Sequence, residues 1–397
     1  MRHGVAKPRG LAMIGGSERL THDAAGRAIL DTLRQSTRMR IGAEVEWLVF
    51  EAGQPVRPVT AAETVEAAGD EALPAGGTVS VEPGGQLELS TPALDAPGAL
   101  VAAIEQDARV LAARFARVGL VMVPRGLDPL RPPRPSLDAP RYAAMERYFR
   151  RVSPEGVRMM ASTAALQLSI DPGPTPLRCW RVLSAAAPLL SALFANSGPP
   201  GSGSARQRVW AATDPSRTAP VPTHDPQAWV DAVLDARVML RAHGLSVAAS
   251  GQRRSFRSWL ADDVDPPTAA DLAVHLTTLF PPVRPRGHLE VRVIDAVPAP
   301  GRAAAVAAVW ALATEEHIGA EVIRIAEEVP DLWPRSLVDG MSDLLVGEAG
   351  RWLLDAVAGA VGPEAPALAR ACRSWAHRQP SATRTSPGTV LGLAEPA

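Results

Sequence analysis

The chain has 397 residues, enough for one large domain or two ordinary ones, and 46% of them are hydrophobic, which excludes global disorder. A net charge of −1 leaves no overall basic field to draw in nucleic acid. Cys179 and Cys372 are the only cysteines and form no CxxC pair, which argues against a disulfide framework or a cysteine zinc site.

Residues 1–20 carry glycine and basic side chains without periodicity and read as a mobile leader lacking the apolar run of a secretory signal. The most apolar segment, residues 303–313, is too short to span a bilayer. A cytoplasmic protein without membrane or nucleic-acid partners is expected. Residues 23–35 space Ile29, Leu30 and Leu33 as one helical face. Residues 38–50 alternate, so Ala43, Val45, Trp47 and Val49 share one strand face while Glu44 and Glu46 share the other. Residues 79–91 form two further alternating runs around Pro83-Gly84-Gly85, a strong turn signal. Gln86 and Glu88 then face one way and Leu87 and Leu89 the other, with Glu82 across the turn.

Residues 92–119 read as a long helix, 120–123 as a short strand, 128–135 as a proline-rich loop and 140–151 as a helix. The arginines around that last helix suit a solvated face. Residues 159–171 read as a third strand that projects Gln167 from an apolar back. An apolar helix over 176–196 leads into a Gly/Ser loop at 196–203, which reads as flexible. Residues 226–243 and 267–279 read as amphipathic helices, and 288–295 as a fourth strand with Glu290 and Arg292 on its polar face. From 301 to about 379 the chain is almost continuously helical, and the Ser/Thr/Pro-rich residues 381–397 read as a disordered tail. A single α+β domain over 21–380 is expected.

Four strands therefore share one design: apolar on one face, with Glu44 and Glu46, Gln86 and Glu88, Gln167, or Glu290 and Arg292 on the other. Joined in one antiparallel sheet, they would back a carboxylate-rich surface on helices. Facing carboxylates resist joint ionisation without a cation, and Mg²⁺ binds through carboxylates plus substrate phosphates. Acids beside arginines thus point to an ATP·Mg site without a P-loop, although any one of these glutamates also fits a solvated strand.

Glu82-Pro-Gly-Gly-Gln-Leu-Glu-Leu-Ser90 resembles the signature of the plant-type glutamate–cysteine ligase family. The resemblance extends through Gly42-Ala-Glu-Val-Glu46, Pro140-Arg-Tyr-Ala-Ala-Met145 with Tyr148, and Met159-Met-Ala-Ser-Thr-Ala-Ala-Leu-Gln167. It continues in Ser204-Ala-Arg-Gln-Arg-Val-Trp210, Asp214-Pro-Ser-Arg-Thr218 and Gly287-His-Leu-Glu-Val-Arg292 with Asp295. The wording is closest to the actinobacterial branch that opens ergothioneine biosynthesis.

The resemblance implies a glutamine-synthetase-like α+β catalytic domain, with a curved antiparallel sheet, helices behind it and a helical C-terminal region. It implies ATP- and Mg²⁺-dependent ligation of L-glutamate to L-cysteine through a γ-glutamyl phosphate. Glu44, Glu46, Glu82, Glu88 and Glu290 would hold Mg²⁺, Glu88 also counting as catalytic. Arg206, Arg217 and Arg292 would meet phosphate or substrate carboxylate, with Arg206 and Arg292 in catalytic roles. Gln86, Ser162, Thr163 and Gln167 would line the amino-acid pocket. Another amine acceptor on the same fold, transfer to a guanidinium, or a catalytically inactive regulatory relative stay open at this point.

Overall fold

The computed structural model describes residues 19–243, 246–249 and 254–379. Of the leader expected at 1–20, residues 1–18 lie outside the described residues, as does the tail expected at 381–397. Arg19 bridges to Thr268 and Leu20 is buried, so these two residues belong to the folded domain.

Among the described residues there are nine strands, β1 (Ile41–Glu51), β2 (Thr78–Val81), β3 (Leu87–Ser90), β4 (Leu120–Val123), β5 (Ala165–Ile170), β6 (Leu240–His243), β7 (Ser246–Ala249), β8 (Val283–Pro285) and β9 (Leu289–Asp295). Seven build one antiparallel sheet in the order β2-β3-β1-β5-β9-β8, with β4 pairing the C-terminal half of β1. β6 and β7 form a separate hairpin. The alternation read from the sequence is what the sheet uses. Ala43, Val45, Trp47, Leu87, Leu89, Leu166, Leu168, Val291 and Val293 all enter the main core. Helices Pro97–Arg117, Pro176–Leu193 and Ala299–Thr314 pack against these strands, and the C-terminal helices Leu344–Val361 and Pro366–Arg378 pack on Ala299–Thr314. This is the α+β arrangement expected, with helices behind the sheet and a helical C-terminal region. Among the described residues no helix is long and apolar enough to cross a membrane.

Four local expectations change. The long helix begins at Pro97 rather than 92, because Leu94 pairs with Ile41 first. Met159 and Met160 belong to helix Glu155–Ser162, not to a strand: the Thr163 hydroxyl donates to the Met159 carbonyl at 2.7 Å and β5 starts only at Ala165. The helix from Pro226 stops at Asp235, and Leu240–His243 is a strand. The run Val238-Met239-Leu240 is apolar enough for either form, and pairing across the hairpin selects the strand. The Gly/Ser loop is pinned rather than free, since Gly203 N–H donates to the Val338 carbonyl and Ser342 N–H to that of Gly201. A Cβ on Gly203 would overlap the Leu337 carbonyl, which explains glycine at that contact.

Candidate active site

The β2–β3 turn sets the floor of the site. Gly85 has φ 87° and its N–H donates to the Glu82 carbonyl, while Glu82 N–H donates to the Gln86 carbonyl, both at 2.9 Å. That positive φ favours glycine. Gly84 is needed for another reason: a Cβ there would overlap the backbone of Ala161, so the turn presses directly on the end of helix Glu155–Ser162. Gln86 locks this contact. Its amide oxygen accepts from Gly84 N–H at 2.8 Å, and its NH₂ donates to the Thr163 and Met160 carbonyls at 2.9 and 3.3 Å. Gln86 therefore braces the turn, and the buried Thr163 hydroxyl is spent on its own helix. Ser162 is buried, with its carbonyl accepting from Asp128 N–H.

Register brings the acids together. Glu46 lies opposite Glu88, Glu44 opposite Ser90 on one side and Gln167 on the other, Ser80 opposite Glu88, and Ser169 opposite Glu290. Like charges directly across a ladder repel. Burial, then repulsion from Glu290 and Glu88, pushes the Glu44 carboxyl up to about 7. Burial, then Glu46, does the same to Glu88, also to about 7, against the pull of its 2.5 Å bond from Ser80. Burial and the neighbouring Glu88 raise Glu82 well above the usual carboxylate range. Burial raises Glu46 too, resisted by Arg206.

The five glutamates are not equivalent. Glu46 is already satisfied, accepting from Ala165 N–H at 2.8 Å and from the Gln167 amide at 2.9 Å, and so stitches β1 to β5 where their pairing ends. Glu290 is ringed by arginines, with Arg284 donating at 2.5 and 3.0 Å and the Arg292 and Arg286 guanidiniums at ion-pair distances of 3.1 and 3.7 Å. Burial works against its ionisation, but Arg284, Arg292 and Arg286 hold its carboxyl far below the usual range. Glu44 and Glu82 accept no side-chain hydrogen bond from any described residue, and Glu88 accepts only from Ser80. These three are the carboxylates of the face left largely without protein donors. Among the described residues no three acidic, histidine or cysteine side chains converge on one point as a complete metal cage. Mg²⁺ fits such a donor set, because it keeps waters and takes one or two carboxylates together with phosphate oxygens.

The expected arginines also divide. The Arg292 guanidinium sits beside Glu290 and over the rings of Trp210 and Phe280, and its Nε–H has no partner among the described residues. Arg206 is 2% exposed and gives both terminal nitrogens to the Arg292 carbonyl at 3.1 Å. Arg217 is corrected from a ligand contact to a brace. Its donors reach Asp214 at 2.9 Å, the Thr278 carbonyl and hydroxyl at 2.7 and 3.2 Å, Tyr148 at 3.1 Å and the Arg237 carbonyl at 2.6 Å. A fully buried guanidinium with five protein acceptors has nothing left to offer a phosphate.

Sequence reasoning missed Arg284 and Arg286, because Pro282 and Pro285 make their segment read as loop. It also left Tyr142 as ordinary helix spacing, although it lies near enough to Glu82 for repulsion from that carboxylate, then burial, to raise its hydroxyl pKa.

Residues 40–333 match glutamate–cysteine ligase family 2. The glutamate–cysteine ligase EgtA of Mycolicibacterium smegmatis is 37% identical, the match covering 81% of this chain and 80% of that protein. The EgtA of Mycobacterium tuberculosis is 36% identical over 77% of this chain and 75% of its own. A solved glutamate–cysteine ligase from Francisella tularensis, in complex with AMP, is 11% identical, covers 87% of this chain and 82% of that one, and gives a TM-score of 0.49. Spanning every glutamate-bearing strand of the sheet and most of the chain, the match shows that this protein belongs to glutamate–cysteine ligase family 2.

Proposed function

We propose that this glutamate–cysteine ligase joins the γ-carboxyl of L-glutamate to the amine of L-cysteine with ATP, working in the cytoplasm as one catalytic unit over residues 21–380 and feeding ergothioneine synthesis. The observation that carries the reading is the half-buried face on which Glu44, Glu82 and Glu88 lie uncommitted and mutually repelling beside Arg292. Membership of the family and the names of the mycobacterial relatives support the reaction and the pathway. Two free buried cysteines suit a reducing compartment.

One or two of Glu44, Glu82 and Glu88 would hold Mg²⁺, which would supply positive charge to offset the ATP phosphates. The chain's own residues do the rest. Arg292, oriented by Glu290 and the Trp210 and Phe280 rings, faces the charge on the transferring phosphoryl group. The γ-carboxylate of glutamate attacks the γ-phosphorus of ATP, the bond to ADP breaks, and γ-glutamyl phosphate results. The cysteine amine then attacks the acyl carbon, loses a proton, and phosphate leaves. No protein nucleophile is required, and neither thiol is suited to one: burial pushes both Cys179 and Cys372 up to about 12.

The test is ADP release by purified protein with Mg·ATP and L-glutamate, with and without L-cysteine, and mass spectrometry of the product. Cysteine-dependent ADP and γ-glutamylcysteine support the reading. ADP released only with another amine overturns the acceptor, and no turnover with any amine overturns the ligase reading.

A further inference from the structure

β9 carries an irregularity that its sequence does not announce. Leu168 pairs with Val291 and Leu166 with Ile294, so Gln167 alone opposes both Arg292 and Val293. Two residues against one is a bulge, and it re-aims side chains. Its effect is visible in the register. Glu290 lies opposite Ser169 and Asp295 opposite Ala165, so the two acids share a face despite an odd separation along the chain.

The bulge is held from outside the sheet. The Arg292 carbonyl accepts from both terminal nitrogens of Arg206 at 3.1 Å and from the Gln207 amide at 3.3 Å. Both donors sit on helix Ala205–Ala211, whose N-cap Ser204 accepts from Gln207 N–H at 3.0 Å and donates to Asp295 at 2.7 Å. Asp295 also accepts from Ser197 at 2.6 Å and from Asn196 N–H at 2.7 Å. Arg292 N–H is fixed in turn by the Pro282 carbonyl at 2.9 Å. The backbone of one arginine is thus clamped from two segments, helix Ala205–Ala211 and the chain at Pro282, while its guanidinium is left toward the glutamate face.

We infer that Gln207 and Arg206 are positioning residues that act through Arg292, holding its carbonyl so that the bulge presents its guanidinium to the transferring phosphoryl group. This rests on the ligase reading above. Neither side chain touches the reacting atoms; each sets where Arg292 stands. Asp295 secures the clamp by fixing the helix start through Ser204.

A double-mutant cycle tests it: Gln207→Met, Arg292→Lys and the double variant, with kcat, the KM values for ATP and L-cysteine, and melting temperature measured for each. Gln207→Met deletes one amide donor, a loss of about fivefold in kcat, with the KM for L-cysteine unchanged. In the Arg292→Lys background Gln207→Met costs nothing further, because the group it positions is gone. Additive losses, or a lower melting temperature with kcat per folded molecule unchanged, overturn the positioning role alone. An inactive wild type overturns the ligase reading and this role with it.

Discussion

Metal-free protein should lose stability as the pH rises through the range where unfolded glutamates ionise and the folded ones resist. The Glu44 and Glu88 carboxyls are each pushed from 4.5 to about 7 by burial and by their neighbours. Between those values the native state binds more protons than the unfolded one, so the slope of unfolding free energy against pH is negative. The penalty is absent below pH 4.5 and complete above about 7. At ~1.36 kcal/mol per pH unit it comes to about 3 kcal/mol for one group, and the pair costs less than twice that because part of each shift is their shared repulsion. Unfolding entropy of ~2.1 cal/mol/K per residue converts about 3 kcal/mol into a melting shift of about 4 °C for a chain of this length. The perturbation is Glu88→Gln, which keeps an oxygen to accept from Ser80 and removes the charge. In EDTA the variant should melt about 4 °C above wild type at pH 8 and level with it at pH 4.5. Mg²⁺ should raise the wild-type melting temperature most at pH 8 and the variant far less, and the variant should lose turnover. Scanning calorimetry at both pH values, with and without Mg²⁺, checks all of this. A pH-independent difference between the two proteins, or an equal response to Mg²⁺, would refute the reasoning.

Gly84→Ala should destabilise by about 2–4 kcal/mol, because its Cβ meets backbone of Ala161 that cannot rotate away, and denaturant melts will show it. Asp214→Ala should cost about 3–5 kcal/mol by leaving Arg217 buried without its carboxylate, read as a fall in melting temperature. Native protein should resist a thiol reagent at pH 8 and yield two reactive thiols after denaturation, since both thiols are buried and pushed up to about 12. A stoichiometric reaction of folded protein would contradict that.

The strand faces were legible because alternation is a local property: Val45 and Trp47 inward, Glu44 and Glu46 on the other side, follow from period two alone. The turn was legible for the same reason, since Pro83-Gly84-Gly85 encodes its own backbone. Partnership was not legible. Nothing in the residues says that Glu46 spends both oxygens on β5 while Glu44 keeps its own, because that depends on where the β1–β5 ladder stops. Arg217 looked like a ligand contact because an arginine in a polar motif reads the same whether its acceptors are phosphates or carbonyls brought from Thr278 and Arg237. The β9 bulge was likewise hidden, since a rigid period-two reading puts Asp295 on the apolar side.

These differences give the site its division of labour. A face with five ionised, unpartnered glutamates would oppose its own folding, because each buried charge costs several kcal/mol. The sheet avoids this by committing Glu46 to backbone and amide donors and Glu290 to arginines. What is left, Glu44, Glu82 and Glu88, is a smaller charge excess that folding tolerates by holding protons. Arrival of a divalent cation with ATP would displace those protons, so nucleotide binding should release protons at pH 6–7. Calorimetric titration in two buffers of different ionisation enthalpy measures that number. Zero proton release would place the cation somewhere other than these three carboxylates.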